Sequence, residues 1–218
     1  MTITQNHIAE FLALSVSIIS WKSLKKGKLR MLPFFLFFIL TIELIGNYFH
    51  KVPYANAKLY NFTIPVEYSF YLFVYFQHGQ KILKTFSFLS LIVLFTSCCI
   101  NFYTEPFYSL HDNVLRIGHI SVIVCSCIYI YEKFQNPTEE SLLQNYFYWL
   151  MSGLLLFNLG DFTYFNLFPK IQLSNWDKSD ELFESINNRL LLLLYLSYII
   201  AIIVYNKYKS NNKNAAGY

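Results

Sequence analysis

Apolar positions come in long, almost unbroken runs rather than in the stripes of a soluble amphipathic helix or the alternation of a half-buried strand. FLALSVSIIS, LPFFLFFILTIELIG, YSFYLFVYF, FSFLSLIVLFTSCCI, ISVIVCSCIYIY, WLMSGLLLFNLG and RLLLLLYLSYIIAIIVY follow one another with only short polar breaks between them. A helix that crosses the hydrocarbon core of a bilayer needs about 20 mostly apolar residues. Extended to that length, the runs predict seven spans: 4–21, 32–50, 61–79, 85–103, 112–131, 146–167 and 184–205. The first is the weakest, because its fully apolar part begins only at Phe11. The longest connection is PKIQLSNWDKSDEL, 169–182, too short to hide a soluble domain. The expected fold is therefore an all-α membrane protein, a bundle of about seven transmembrane helices forming one polytopic domain over 1–205. A polar tail, NKYKSNNKNAAGY (206–218), is expected to be disordered.

The distribution of Lys and Arg sets an orientation. If the KSLKKGKLR loop is cytoplasmic, its side collects eleven basic residues: Lys22, Lys25, Lys26, Lys28, Arg30, Lys81, Lys84, Lys133, Lys207, Lys209 and Lys213. The opposite side collects four, Lys51, Lys58, Lys170 and Lys178. The bias predicts the N-terminus outside, the C-terminus in the cytoplasm and an odd number of spans. The first residues, MTITQNHIAE, lack the basic start of a cleavable signal peptide.

The polar residues inside the runs then acquire a depth. An ionisable side chain at a helix centre costs about 2.5–3.5 kcal/mol on insertion scales, so such residues turn toward the bundle interior. Glu43, Asn47 and His50 are spaced i, i+4, i+7 and share one helix face. Asn61 opens the third span and Glu67 lies about 10 Å deeper, at 1.5 Å per residue. Arg116 and His119 share a face of the fifth span, Asn158 and Asp161 a face of the sixth, and Asn187, Asn188 and Arg189 stand at the start of the seventh. His7 and Glu10 add to the first. All fall in outer halves, which predicts a polar intramembrane pocket open to the outside, with Glu67 as one wall. A purely structural alternative stays open: Glu10, Glu43, Glu67 and Asp161 paired with Arg116, Arg189, His50 and His119.

Composition sharpens this only at the edges. The chain is 55 % hydrophobic and 14 % charged, against roughly 25 % charged residues in soluble domains. The net charge of +4 matters less than its placement. Cys98, Cys99, Cys125 and Cys127 all lie in apolar runs without zinc or disulfide spacing, and read as small buried hydrophobes. Abundant Phe, Tyr, Ile, Asn and Lys with scarce Gly and Pro suit an AT-rich bacterial genome, hence a multi-pass protein of the bacterial inner membrane.

Specific chemistries find little support. His50, His119, Glu43 and Asp161 are suitable metal ligands for an intramembrane lipid-modifying hydrolase. The paired histidines that seven-span hydrolases carry in a late span are missing, as is HExxH. No GxSxG, P-loop or GxGxxG occurs, and the seventh span has no lysine for retinal. A transporter or pore would need polar residues through the full depth, whereas the inner halves offer mainly Ser, Tyr and Cys. The NFT triplet at Asn61 matches a glycosylation acceptor but sits against the membrane. No catalytic residue, metal site or cofactor is predicted, and a non-enzymatic reading is preferred. The expected partners are the bilayer, a lipid or small-molecule ligand in the pocket and a second copy of the chain; the basic face formed by Lys22, Lys25, Lys26, Lys28 and Arg30 reads first as a topology determinant attracted to anionic lipid, and second as a contact for a cytosolic protein or ribonucleoprotein.

ELIGNYF, LYNFTIPVEYSFYLFVYF and NRLLLLLYLSYII, together about a quarter of the chain, resemble small bacterial seven-span proteins without assigned chemistry. Within that group the chain is similar in size and layout to the membrane accessory proteins encoded beside type VI-B CRISPR RNA-targeting effectors. The resemblance implies an accessory role in antiviral defence, as a modulator of an RNA-guided nuclease. It transfers no functional residue.

Overall fold

A computed structural model describes residues 5–49, 53–135, 141–173 and 181–215. Among them every regular element is helical. The helices are α1 (Gln5–Ile19), α2 (Trp21–Leu24), α3 (Leu32–Phe49), α4 (Pro53–His78), α5 (Lys81–Thr104), α6 (Asp112–Gln135), α7 (Tyr146–Leu173) and α8 (Glu181–Ala215), with a short 3-10 turn at Leu142–Gln144. Four are long and apolar enough to cross a membrane: α3, α5, α6 and the Ser185–Lys207 part of α8. With α4 and α7 at 26 and 28 residues, length is not what sets them apart. Polar positions such as Asn56, Lys58, Asn61 and Glu67 in α4, or Asn158, Asp161 and Asn166 in α7, dilute their apolar character.

Two helices differ most from their expected limits, α4 and α8, while α7 runs on from 167 to Leu173, into the expected 169–182 connection. α4 begins at Pro53, well before the expected start at 61, which leaves Pro65 inside the helix rather than near its beginning. Pro53 suits a first helical position, where a missing N–H costs nothing, and Ala55, Ala57 and Leu59 are good helix formers. Helix formation there does not require an apolar run, so hydropathy alone misses it. α8 continues past 205 as far as Ala215, into the segment expected to be a disordered tail.

The chain divides into two compact units, and the division falls within α3. The first is built on Phe38–Asn136 and contains α4, α5 and α6 packed on one another. α5 turns Leu83, Ser87, Ser90, Leu94, Ser97, Cys98 and Asn101 inward, a spacing of three and four that keeps them on one face. The serines are small enough for close helix approach, the usual device of membrane bundles. Ser87 Oγ returns its hydrogen to the Leu83 carbonyl at 2.7 Å, so its own hydroxyl is not stranded. The opposite face, with Phe88, Leu89, Ile92, Val93 and Phe95 exposed, is apolar, as contact with lipid requires. All four cysteines are free; Cys98 and Cys125 are buried, Cys99 and Cys127 exposed.

The second unit is built on Ile3–Phe37 and Pro137–Tyr218, with α8 packed along both α7 and α1 and touching α2. Its core includes Leu14, Leu154, Leu194, Tyr195, Tyr198 and Ile202. Asn6 Nδ2 donates to Asn188 Oδ1 at 2.5 Å and ties α1 to α8. Asn206 Nδ2 donates to Ser20 Oγ at 2.7 Å and ties the far end of α8 to the residue ahead of α2.

Candidate functional site

The first unit gathers Glu43 and Gly46 on α3 with Asn56, Tyr60, Glu67 and Tyr71 on α4. Tyr60 hydrogen-bonds the Glu43 side chain, and the Glu67 carboxyl lies close enough for the two acids to feel each other's charge. Tyr71 donates to Glu67 Oε1 at 2.5 Å, one helical turn along α4. Tyrosine hydroxyls therefore serve both carboxyls. Glu43, Asn47 and Glu67 are all half-buried. The residue between them on α3, Gly46, is buried, and a Cβ there would meet the Tyr60 hydroxyl at 2.9 Å and Asn56 Oδ1 at 3.4 Å. The missing side chain lets α4 bring these polar atoms up to α3. Asn56 Oδ1 is itself buried without a hydrogen-bond donor.

Further along α4 the pattern repeats with other partners. The Tyr68 hydroxyl meets His119 Nδ1 at 2.7 Å, and both side chains are buried, at 4 % and 1 % exposure. The rings cross edge to face with centroids 5.5 Å apart. Tyr75 shares a hydrogen bond with Ser126, whose hydroxyl also reaches the Val122 carbonyl at 2.9 Å. Tyr68, Tyr71 and Tyr75 stand at i, i+3 and i+7, and all three are buried. They form one polar seam inside the unit. Deleting one hydroxyl leaves its buried partner a bond short. A double-mutant cycle of Tyr68→Phe and His119→Leu, read by thermal unfolding in detergent, is therefore expected to give a coupling of about 1 kcal/mol. A coupling of zero would mean that the two side chains do not meet.

The sequence-predicted pocket residues separate under this geometry. Glu43, Asn47, Asn61, Glu67, Arg116 and His119 belong to the first unit, and Asn158, Asp161, Asn187, Asn188 and Arg189 to the second. His50 lies outside the described residues. Asn61 is 2 % exposed and works as a clamp. Its Oδ1 accepts the His111 backbone N–H at 2.8 Å, and its Nδ2 donates to the Ser109 carbonyl at 2.6 Å. It thereby pins the turn between α5 and α6. Asn158 is fully buried and donates to the Leu154 carbonyl one turn back, at 2.7 Å. Asn188 holds Asn6 as described. Asp161 and Asn187 are half-buried, and Arg116 and Arg189 are exposed. Of the expected pocket acids in the first unit, Glu43 and Glu67 are the two that lie near each other. Among the described residues, no three His, Cys, Asp or Glu side chains gather in a way that could hold a metal ion.

No protein-family model, curated protein or solved structure matches this chain. The site is therefore read from its own chemistry.

Two features escape the sequence-level reading. The α4 tyrosines merge into a chain with 18 tyrosines and 22 phenylalanines; only their shared helical face distinguishes them. Glu132, just past the expected end of its span at 131, reads as a loop residue but is 5 % exposed. Its carboxylate accepts the backbone N–H of Gln80 at 3.1 Å and of Leu83 at 3.0 Å, capping α5 from another helix.

Proposed function

We propose that this chain is a non-enzymatic accessory or sensor protein of the bacterial inner membrane, and that the α3–α4 face carrying Glu43 and Glu67 is its ligand-reading pocket. In this reading α1 and α3–α8 are seven spans, with the N-terminus outside. At 1.5 Å per residue α4 and α7 reach about 40 Å, more than the roughly 30 Å hydrocarbon core. The observation that carries the pocket is the meeting of two carboxyls from two different helices, each served by a tyrosine hydroxyl, in a chain that otherwise places its acids sparingly. Membrane proteins tolerate half-buried acids where they face a water-filled or ligand-filled interior. The resemblance in size and layout, read from the sequence, to membrane accessory proteins beside type VI-B CRISPR effectors is what suggests a cytosolic ribonucleoprotein as partner.

Purification from native membranes in mild detergent, with mass spectrometry of both small molecules and proteins, tests this reading. Wild-type protein is expected to carry a recurring small molecule or lipid that the Glu43→Gln, Glu67→Gln double variant loses at least about tenfold, a change of 1.4 kcal/mol in binding. The variant's thermal midpoint is expected to stay within a few degrees, since amides keep the tyrosine hydrogen bonds. An unchanged set of bound molecules would remove the pocket, and a large fall in midpoint would reassign both acids to structure. Absence of a recurring ribonucleoprotein would remove the accessory role.

A further inference from the structure

The basic turn between α1 and α3 is a built surface. Lys22, Lys25, Lys26, Lys28 and Arg30 are all exposed, while Leu24 and Leu29 between them are buried at 0 % and 2 % exposure. The leucines anchor the turn and the cations stand above them. Its backbone is closed by successive bonds: Lys25 N–H to the Trp21 carbonyl at 2.9 Å, Gly27 N–H to Leu24 at 2.9 Å, Arg30 N–H to Gly27 at 3.3 Å and Leu32 N–H to Leu29 at 3.1 Å. Gly27 lies against the Tyr205 hydroxyl so closely that no Cβ fits. The Tyr205 ring is itself held edge-on by Tyr146, with centroids 4.9 Å apart. Together with the Ser20–Asn206 bond, this fixes the turn to α8 at two points. Lys207, the next residue along α8, is also exposed.

No Asp or Glu occurs between Glu10 and Glu43. Five cations in nine residues therefore repel one another on a turn that cannot relieve the repulsion by uncoiling. Their flanks are apolar and aromatic. Ile19 ends α1 at 83 % exposure; Met31, just ahead of α3, and Phe34, in its first turn, are exposed as well. Trp21 stacks edge-on against Phe34 at 5.4 Å. An indole beside exposed apolar residues marks the membrane–water boundary, and the anions found in quantity at that boundary are lipid phosphates.

We propose that this turn is a binding platform for the head groups of anionic phospholipids in the leaflet it faces. The platform is separate from the Glu43–Glu67 pocket and stands or falls independently of it. The lysines supply point charges to phosphate oxygens, Arg30 supplies a fork for paired contacts, and the anchored leucines hold the spacing.

Native mass spectrometry of the full chain in detergent, titrated with phosphatidylglycerol or phosphatidylcholine, tests it directly. Wild type is expected to retain phosphatidylglycerol at least about tenfold over phosphatidylcholine, and to lose that preference in high salt. The Lys25→Gln, Lys26→Gln, Lys28→Gln variant is expected to fall to near parity with an unchanged thermal midpoint. It keeps Lys22 and Arg30, so membrane orientation does not depend on the substituted residues alone. The variant with all five positions changed to Gln extends the series. A wild type without preference, or a triple variant that keeps it, overturns the proposal. Retention of a short RNA oligonucleotide with no lipid preference overturns it as well, and assigns the turn to nucleic acid.

Discussion

Replacing Glu132 with alanine is expected to lower the thermal midpoint of the protein in detergent more than the loss of any other single side-chain hydrogen-bonding group in the first unit. The first N–H groups of a helix have no partner within it. α5 begins after Gln80, whose side chain makes no capping bond. Glu132 reaches across from α6 and takes two of those N–H groups, Gln80 at 3.1 Å and Leu83 at 3.0 Å. Leu83 is fully buried, so water cannot replace the lost acceptor. A local N-cap is worth about 1 kcal/mol. Here two bonds to a carboxylate are lost, the one to Leu83 in a dry site and the one to exposed Gln80 open to water, which raises the expected cost to about 2 kcal/mol. Glu132→Gln keeps one acceptor oxygen but turns its NH2 toward a second N–H, so it should recover less than half. Unfolding followed by the helical signal, with the Gln and Ala variants side by side, reads this directly. Equal midpoints for wild type and Glu132→Ala would show that the α5 N-terminus is satisfied some other way.

That residue also shows where the sequence runs out. The long apolar runs are enough to predict an all-helical chain with membrane-crossing segments, because hydrophobic length is a local property. α3, α5 and α6 appear close to their expected places for that reason. α4 does not, because the segment 53–60 is helical without being apolar, and Pro65, close to the expected start at 61, lies well inside the helix. The face-sharing of Glu43 and Asn47 also follows from spacing alone, whereas Arg116 and His119, spaced i, i+3, part company, the first exposed and the second buried. Which face meets which partner does not follow from spacing. Asn61 and Glu67 both look like pocket walls in sequence, yet the first spends its amide on the backbone of residues 109 and 111 while the second lies beside Glu43. Arg116 looks like a counter-ion for those acids and is exposed, whereas tyrosines that carry no formal charge serve them. Pairings between helices depend on rotation and register, and an apolar run leaves both unspecified. Glu132 was hidden by the same limit: nothing within α6 indicates that the start of α5 lies opposite it.

Gly118→Ala is expected to destabilise the first unit by about 1–2 kcal/mol, against the usual sign for this substitution. Inside a helix alanine is favoured over glycine by about 1 kcal/mol, since glycine loses more backbone freedom on folding. At position 118, however, the new Cβ would meet the Tyr68 ring, with Cε2 and Cγ both at 2.5 Å. That is about 1 Å inside ordinary van der Waals contact. The ring has nowhere to go. Tyr68 is 4 % exposed, its hydroxyl is fixed to His119 at 2.7 Å, and its edge meets the Tyr71 ring at a centroid distance of 6.1 Å. Overpacking of a filled site costs about 1–3 kcal/mol, so relief of the clash by moving α4 away from α6 outweighs the gain in helix propensity. The same movement would lengthen the Tyr68–His119 bond and draw Tyr71 away from Glu67. One methyl group should therefore disturb the Glu43–Glu67 pair without touching it. Tyr68→Ala supplies the control: in its background Gly118→Ala should return to its ordinary stabilising sign. If Gly118→Ala raises the midpoint of the otherwise wild-type protein, α4 and α6 do not approach as closely as the Gly118–Tyr68 contact requires, and the tyrosine seam between them falls with that contact.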